Sequence, residues 1–252
     1  QGVEQVSITD HDNLHAYDQL SPAAIPAGLR VVTGIELDAH LVHLTLGIRK
    51  IEILGYAFDP ASPGLRGLVD DILTQRRLRG RALMNHLNER FNAKIWPEDL
   101  LRENATVLTP RVLAPYVRKG LFPTIKEARA AAAGVPGLPR VRKITAETAI
   151  ALIHEAGGKA VLAHPARTDL HTLEEASLAL NALRDAGLDG FEACYGYERD
   201  GRKHNKFEPE ALVALWPDAL LTGGSDAYVA DYIGKFTCPL PPMPAFTPNS
   251  TA

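Results

Sequence analysis

From about residue 141 onward, apolar positions switch between helical and alternating spacing, with short connections between the switches. TAETAIALIHEA, 145 to 156, carries a helical stripe behind a Thr145 cap and stops at Gly157 and Gly158, which predicts a helix leading into the strand KAVLAH. LEEASLALNALRDAG predicts a second helix feeding the strand GFEACYG. A third helix around EPEALVALW feeds ALLTGGSD. Helix and strand in alternation predict a parallel α/β sheet or barrel. Each of these strands ends in a polar residue: His164, Glu192 and Asp226.

The first sixty residues repeat the arrangement. VEQVSITDHD predicts a strand ending in Asp10, His11 and Asp12, RVVTGIE one ending in Glu36, and IEILGYAFDP a third carrying Glu52. Between Pro60 and about Arg140 the pattern becomes helical without strands, notably from Leu65 to Phe91, and the apolar positions there suffice for a small subdomain sitting over the rim as a cap. The expected organisation is therefore an α/β barrel domain from 1–60 and 141–238, a helical insertion subdomain at 61–140, and a proline-rich tail at 239–252.

Polar strand ends matter because ligands of parallel α/β folds collect at the carboxyl ends of strands. Composition narrows what those ligands are. A formal charge of -3 over 252 residues and a pI near 6.3 argue against a surface that wraps a polyanion, leaving only a local basic patch from Arg76 to Arg81. Cys194 and Cys238 make neither a disulfide framework nor a thiolate zinc site, so a reducing, cytoplasmic setting is expected. No apolar run spans a bilayer and no signal-peptide pattern is present, so no membrane partner is expected.

Imidazoles and carboxylates gathered on one rim suit divalent Mn, Fe or Zn, and two or three such ions suit phosphoester hydrolysis. Plainer readings stand beside this one. Asp10, His11 and Asp12 fit a loop that caps a helix, His164 fits a core histidine bonded to a carbonyl, and Glu52 fits a buried ion pair or an exposed edge as well as it fits a ligand. His15, His40, His86, His154 and His171 read as surface or satisfied core residues.

In order, TDHD (9 to 12), GIE (34 to 36), ILGYAFDP (53 to 60), AGGKAVLAHPAR (156 to 167), GLDGFEACY (187 to 195) and TGGSD (222 to 226) resemble the PHP family, named for polymerase and histidinol phosphatase. The resemblance implies a distorted seven-stranded β/α barrel and a trinuclear metal site, in the branch of nucleotide phosphatases acting on AMP or nucleoside 3',5'-bisphosphates. His11, Glu36, His164 and Asp226 match metal ligands, with Glu36 as the bridging carboxylate. Three departures follow from it. Glu52 stands where the family carries a His, with His43 as an alternative; the closing D-x-H reads Asp226, Ala227, Tyr228; and the family's H-x-H strand has no counterpart, a segment the natural protein is expected to have.

A phosphorylated substrate needs cations at the rim, and arginine is their natural form. Arg167, three residues after His164, is the first choice, followed by Arg111 in the insertion and by His204 beside Arg202 and Lys203, a run that also reads as a solvated loop. The expected function is metal-dependent hydrolysis of a nucleotide or other small phosphomonoester, with exonuclease activity on short RNA. The alternative is a degenerate PHP domain that binds a ligand or partner without catalysis; metal-dependent amide or ester hydrolysis is a third reading.

Overall fold

Strand β1 (Gln5–Ile8) runs parallel to β2 (Arg30–His43), with Ser7 opposite Val32. A computed structural model describes residues 3–96, 109–195, 198–199, 202–203, 206–208, 210–227, 233 and 243–245, with backbone alone at 198–199, 202–203 and 210. His204, Tyr228, Cys238 and most of the tail from 239 to 252 lie outside the described residues.

β2 does not stop at Glu36 as the sequence reading expects. Leu37, Ala39 and Leu41 continue the alternation with buried side chains, so the strand runs on to His43, turns, and returns antiparallel as β3 (Gly47–Tyr56). This replaces the expected parallel unit with a long hairpin. The turn is closed by His43, whose Nδ1 accepts from the N–H groups of Thr45 and Leu46 at 3.2 and 3.3 Å, and by Gly47 at φ +68°.

The second half follows the predicted alternation. β4 (Ile144–Thr145) pairs with β2 and leads into α5 (Ala146–Glu155), whose Thr145 cap accepts from the Thr148 N–H. β5 (Lys159–Leu162) follows, then α6 (Leu173–Asp185), capped by Thr172, and β6 (Gly190–Tyr195). A ribbon of β7 (Glu198–Arg199) and β8 (Arg202–Lys203) precedes α7 (Glu210–Val213) and β9 (Leu220–Gly224). Helix α7 has four residues instead of the longer helix expected; Pro209 and Pro217 bracket its sequence. Gly190 is required where it stands, because a Cβ there would collide with the Leu220 carbonyl on the neighbouring strand.

The resulting sheet has seven strands in the order β1-β2-β3-β5-β6-β9, with β4 added on β2. It is mixed: β3 is antiparallel to both β2 and β5, and the other pairings are parallel. Among the described residues no pairing joins β1 to β9, so the seven-stranded sheet does not close there into the expected distorted β/α barrel. Val32, Leu54, Tyr56, Val161 and Ala163 pack on one another beneath the strand ends. Cys194 in β6 is disulfide-bonded.

The chain divides into two compact units, residues 1–66 with 143–252, and residues 67–142. The second holds most of α2 (Pro63–Phe91) with α3 (Thr109–Arg118) and α4 (Ile125–Ala133). Leu83, Met84, Leu87, Val112, Leu113 and Tyr116 form its core, and the Tyr116 hydroxyl donates to the Met84 carbonyl at 3.1 Å. Among the described residues no helix is long and apolar enough to cross a membrane.

Candidate metal centre

The loop after β1 is zipped onto β2. The Asp12 N–H donates to the Glu36 carbonyl at 2.8 Å and the Glu36 N–H donates to the Asp10 carbonyl at 3.3 Å, which sets His11 beside Glu36. Asp12 is buried at φ +45°, and its Oδ1 accepts from the Asp38 N–H at 3.0 Å. Within TDHD, then, Asp12 braces the backbone while His11 faces the carboxylates. Gly34 allows the close approach, since a Cβ there would strike Ser7 Oγ; its N–H donates to the Tyr17 hydroxyl at 2.6 Å, which in turn donates to the Ile8 carbonyl at 2.7 Å.

Glu36 lies between two imidazoles. Its Oε2 is 3.4 Å from His11 Nε2, and its Oε1 is 3.2 Å from His164 Nε2. Two further carboxylates complete the cluster: Asp38 Oδ1 is 3.4 Å from His11 Nδ1, and Glu52 Oε2 is 3.5 Å from His164 Nε2. Two overlapping sets, His11 with Asp38 and Glu52, and Glu36 with Glu52 and His164, each bring three ligand atoms within 4.8 Å of one another. Glu52 is common to both.

His164 is held by β6. At φ +23° it occupies a conformation unusual for a residue with a Cβ, and its N–H donates to the buried Glu192 Oε2 at 2.9 Å. Two residues on, the Ala166 N–H donates to the Tyr195 hydroxyl at 2.7 Å. Both anchors come from β6.

The cluster is short of positive charge. Burial alone would push both imidazoles down; around His11 the Asp38 hydrogen bond and the charges of Glu36, Asp38 and Glu52 outweigh it and lift the group to about 9. His164 is lifted to about 9 against its burial by the hydrogen bond and charge of Glu36, aided by Glu52 and Glu192. Burial raises Glu52, and it lifts Glu192 to about 7. Protons on the two imidazoles, with Lys143 Nζ 3.6 Å from Asp38 Oδ2, balance the carboxylates. A divalent ion is the alternative source of that charge, and the nitrogen and oxygen donors suit Mn, Fe or Zn. His164 Nδ1 adds to the fit, being buried without a hydrogen-bond partner.

Of the sequence-predicted residues, His11, Glu36, Glu52 and His164 come together. Asp226 belongs to neither set and is instead 3.2 Å, through Oδ2, from Arg167 Nη1. Arg111 is exposed on α3 in the helical unit. His43 is occupied in the β2–β3 turn, which removes it as an alternative to Glu52. Asp38 was missed: it lies two residues beyond Glu36, on the same face of a strand expected to have ended. Glu192 was read as a polar strand end, and its bond to the His164 backbone depends on the pairing of β5 with β6.

No family model matches the chain. It is 30% identical over 173 residues to the 5'-3' exoribonuclease Rnm of Salmonella typhimurium, covering 67% of this chain and 57% of that protein. Identity to a 3',5'-nucleoside bisphosphate phosphatase of Chromobacterium violaceum is 27% over 199 residues, 76% of this chain and 66% of the relative. The chain thus spans somewhat under two thirds of the length of both. A crystal structure of a putative metal-dependent phosphoesterase from Bifidobacterium adolescentis superposes with a TM-score of 0.66 at 25% identity, over 89% of this chain and 77% of that one.

Proposed function

Because the chain belongs to the PHP family, we propose that it hydrolyses a phosphate ester of a nucleotide or other small phosphomonoester, with exonuclease activity on short RNA, using two or three divalent ions held at the Glu36 cluster. The observation that carries this reading is the position of Glu36 between His11 and His164, with Asp38 and Glu52 completing two overlapping ligand sets. The same family reading takes the open sheet as the wall of a distorted barrel.

His11, Asp38 and Glu52 would hold one ion, and Glu36, Glu52 and His164 the next. When bound, Mn, Fe or Zn supplies Lewis acidity toward a phosphoryl oxygen and makes water acidic enough to serve as a nucleophile near neutral pH. The chain's own residues do the rest. Arg167 offers a planar fork to the substrate phosphate, and Asp226 holds that fork at the edge of the site. Glu192 and Tyr195 fix the loop that carries His164 and Arg167.

The second reading, a PHP domain that binds without catalysis, draws on Asp226, which is engaged with Arg167 outside both ligand sets. Phosphate release from AMP, a nucleoside 3',5'-bisphosphate and a short 5'-phosphorylated RNA, with Mn, Fe or Zn supplied, separates the two. Release that Glu36→Gln abolishes supports hydrolysis. Metal-dependent binding of these compounds with no release supports the second reading.

A further inference from the structure

The near-neutral total charge conceals two opposed units. Residues 67–142 hold 14 Lys and Arg against seven Asp and Glu, a formal +7, while the rest of the chain holds 13 against 23, a formal -10. A polyanion is therefore repelled by the unit that carries the carboxylate cluster and attracted by the helical one.

Most of the helical unit's described cations stand at its surface, Arg76 being buried. Arg77 on α2, Lys126 and Arg129 on α4, and Arg118 and Lys119 at the end of α3 are exposed, against four exposed acids, Asp70, Asp71, Glu89 and Glu127, among the described residues. Its apolar core is complete without them, and like charges a helical turn apart, as at Lys126 and Arg129, weaken the helix that bears them. An exposed aromatic stands close in sequence to one of the unit's exposed lysines. Trp96 is 69% exposed and lies two residues beyond Lys94, whose carbonyl accepts from Lys119 Nζ at 3.5 Å. Exposed cations that follow a phosphate backbone, combined with an aromatic ring on which a base stacks, are the means by which proteins hold single strands without reading sequence.

We propose that the exposed Lys94, Trp96, Arg118 and Lys119 of the helical unit bind single-stranded RNA, the cations on phosphates and the Trp96 indole on a base. The proposal rests on the phosphoesterase reading only for its purpose: the acidic unit handles the reacting phosphate and the helical unit holds the strand. Its consequence is selectivity for length, since a mononucleotide has no strand to offer.

The test uses the full chain in chelator with a ten-nucleotide RNA, read by anisotropy and by intrinsic fluorescence. Trp216, the only other tryptophan, is 9% exposed, so quenching reports Trp96. The expected result is binding whose log affinity falls with log salt at a slope of about -2 or steeper, the mark of some three neutralised phosphates. Joint replacement Arg118→Glu and Lys119→Glu weakens it about tenfold or more and flattens the slope; Trp96→Ala removes the quenching; AMP hydrolysis stays at the wild-type rate in both. Should the charge reversal not fold by circular dichroism, Arg118→Gln with Lys119→Gln reads the same loss in smaller measure. No binding at low salt, binding that survives all these variants, or binding of anionic phospholipid vesicles in place of RNA overturns the proposal. Loss of AMP hydrolysis with RNA binding intact strikes the phosphoesterase reading instead.

Discussion

Asp38 on β2 stands directly opposite Glu52 on β3 in the antiparallel register. Two carboxylates facing each other across a strand pair oppose folding, and burial raises Glu52, so folding works against its charge. Glu52→Gln removes that charge. It is expected to raise the melting temperature in chelator, by the equivalent of about 0.5 kcal/mol, while weakening Mn binding by about tenfold or more because both ligand sets use this residue. Calorimetric melting in chelator and isothermal titration with Mn read the two effects separately. A variant that melts lower and binds Mn as well as wild type would show the pair to be structural.

The two imidazoles give the metal-free protein a pH signature. His11 and His164 rise from an ordinary 6.5 to about 9 in the folded state. A base raised on folding contributes stability that is complete below 6.5 and is lost as pH rises through 9. Glu192, a carboxyl lifted to about 7, acts in the same direction at lower pH. Stability in chelator is therefore expected to fall between about pH 6.5 and 9.5. Mn reverses this trend, since ligation replaces the bound protons and becomes more favourable as they leave. Urea titrations at five pH values, with and without Mn, check both slopes; a flat profile in chelator contradicts the charge balance described above.

Glu192 holds the His164 backbone, so its replacement separates loss of an acceptor from loss of a charge. Glu192→Ala leaves a half-buried N–H without its partner, a cost of about 1 kcal/mol, and releases His164 from its φ of +23°. Glu192→Gln keeps a carbonyl oxygen in the same place. The expected order of stability in urea is wild type close to Gln, with Ala well below, and the same order for Mn affinity. If Ala and Gln bind Mn equally well, the hydrogen bond does not position the histidine.

What could be read along the chain was what neighbouring residues decide. Thr145 announces its helix, and TDHD, GIE and AHP mark three of the places where the cluster's side chains arise. What escaped depends on partners distant in sequence. That β2 passes Glu36 to His43 follows from the hairpin it makes with β3, and with that extension Asp38 joins the site. The carboxylate of Glu192 reaches a backbone amide 28 residues away only because β5 and β6 are adjacent. The charge division escaped for a different reason: an average over the whole chain cancels a basic unit against an acidic one.

The contact between Arg167 and Asp226 joins a proposed phosphate ligand to a proposed metal ligand, and the two roles of Asp226 predict different kinetics. If Asp226 serves to hold the guanidinium, removing either side chain loses the same interaction with substrate, and Arg167→Ala and Asp226→Asn each raise KM for a phosphomonoester with kcat little changed. Their effects then fail to add in the double variant, whose KM equals that of Arg167→Ala alone. If Asp226 turns to a metal ion when one is present, Asp226→Asn lowers Mn affinity and kcat, and its effect multiplies with that of Arg167→Ala. The ion pair at 3.2 Å and the absence of Asp226 from both ligand sets favour the first outcome. Steady-state kinetics of the four proteins at saturating Mn, with Mn affinity measured on the same samples, decide it: a drop in Mn affinity confined to the Asp226 variants would assign the carboxylate to the metal.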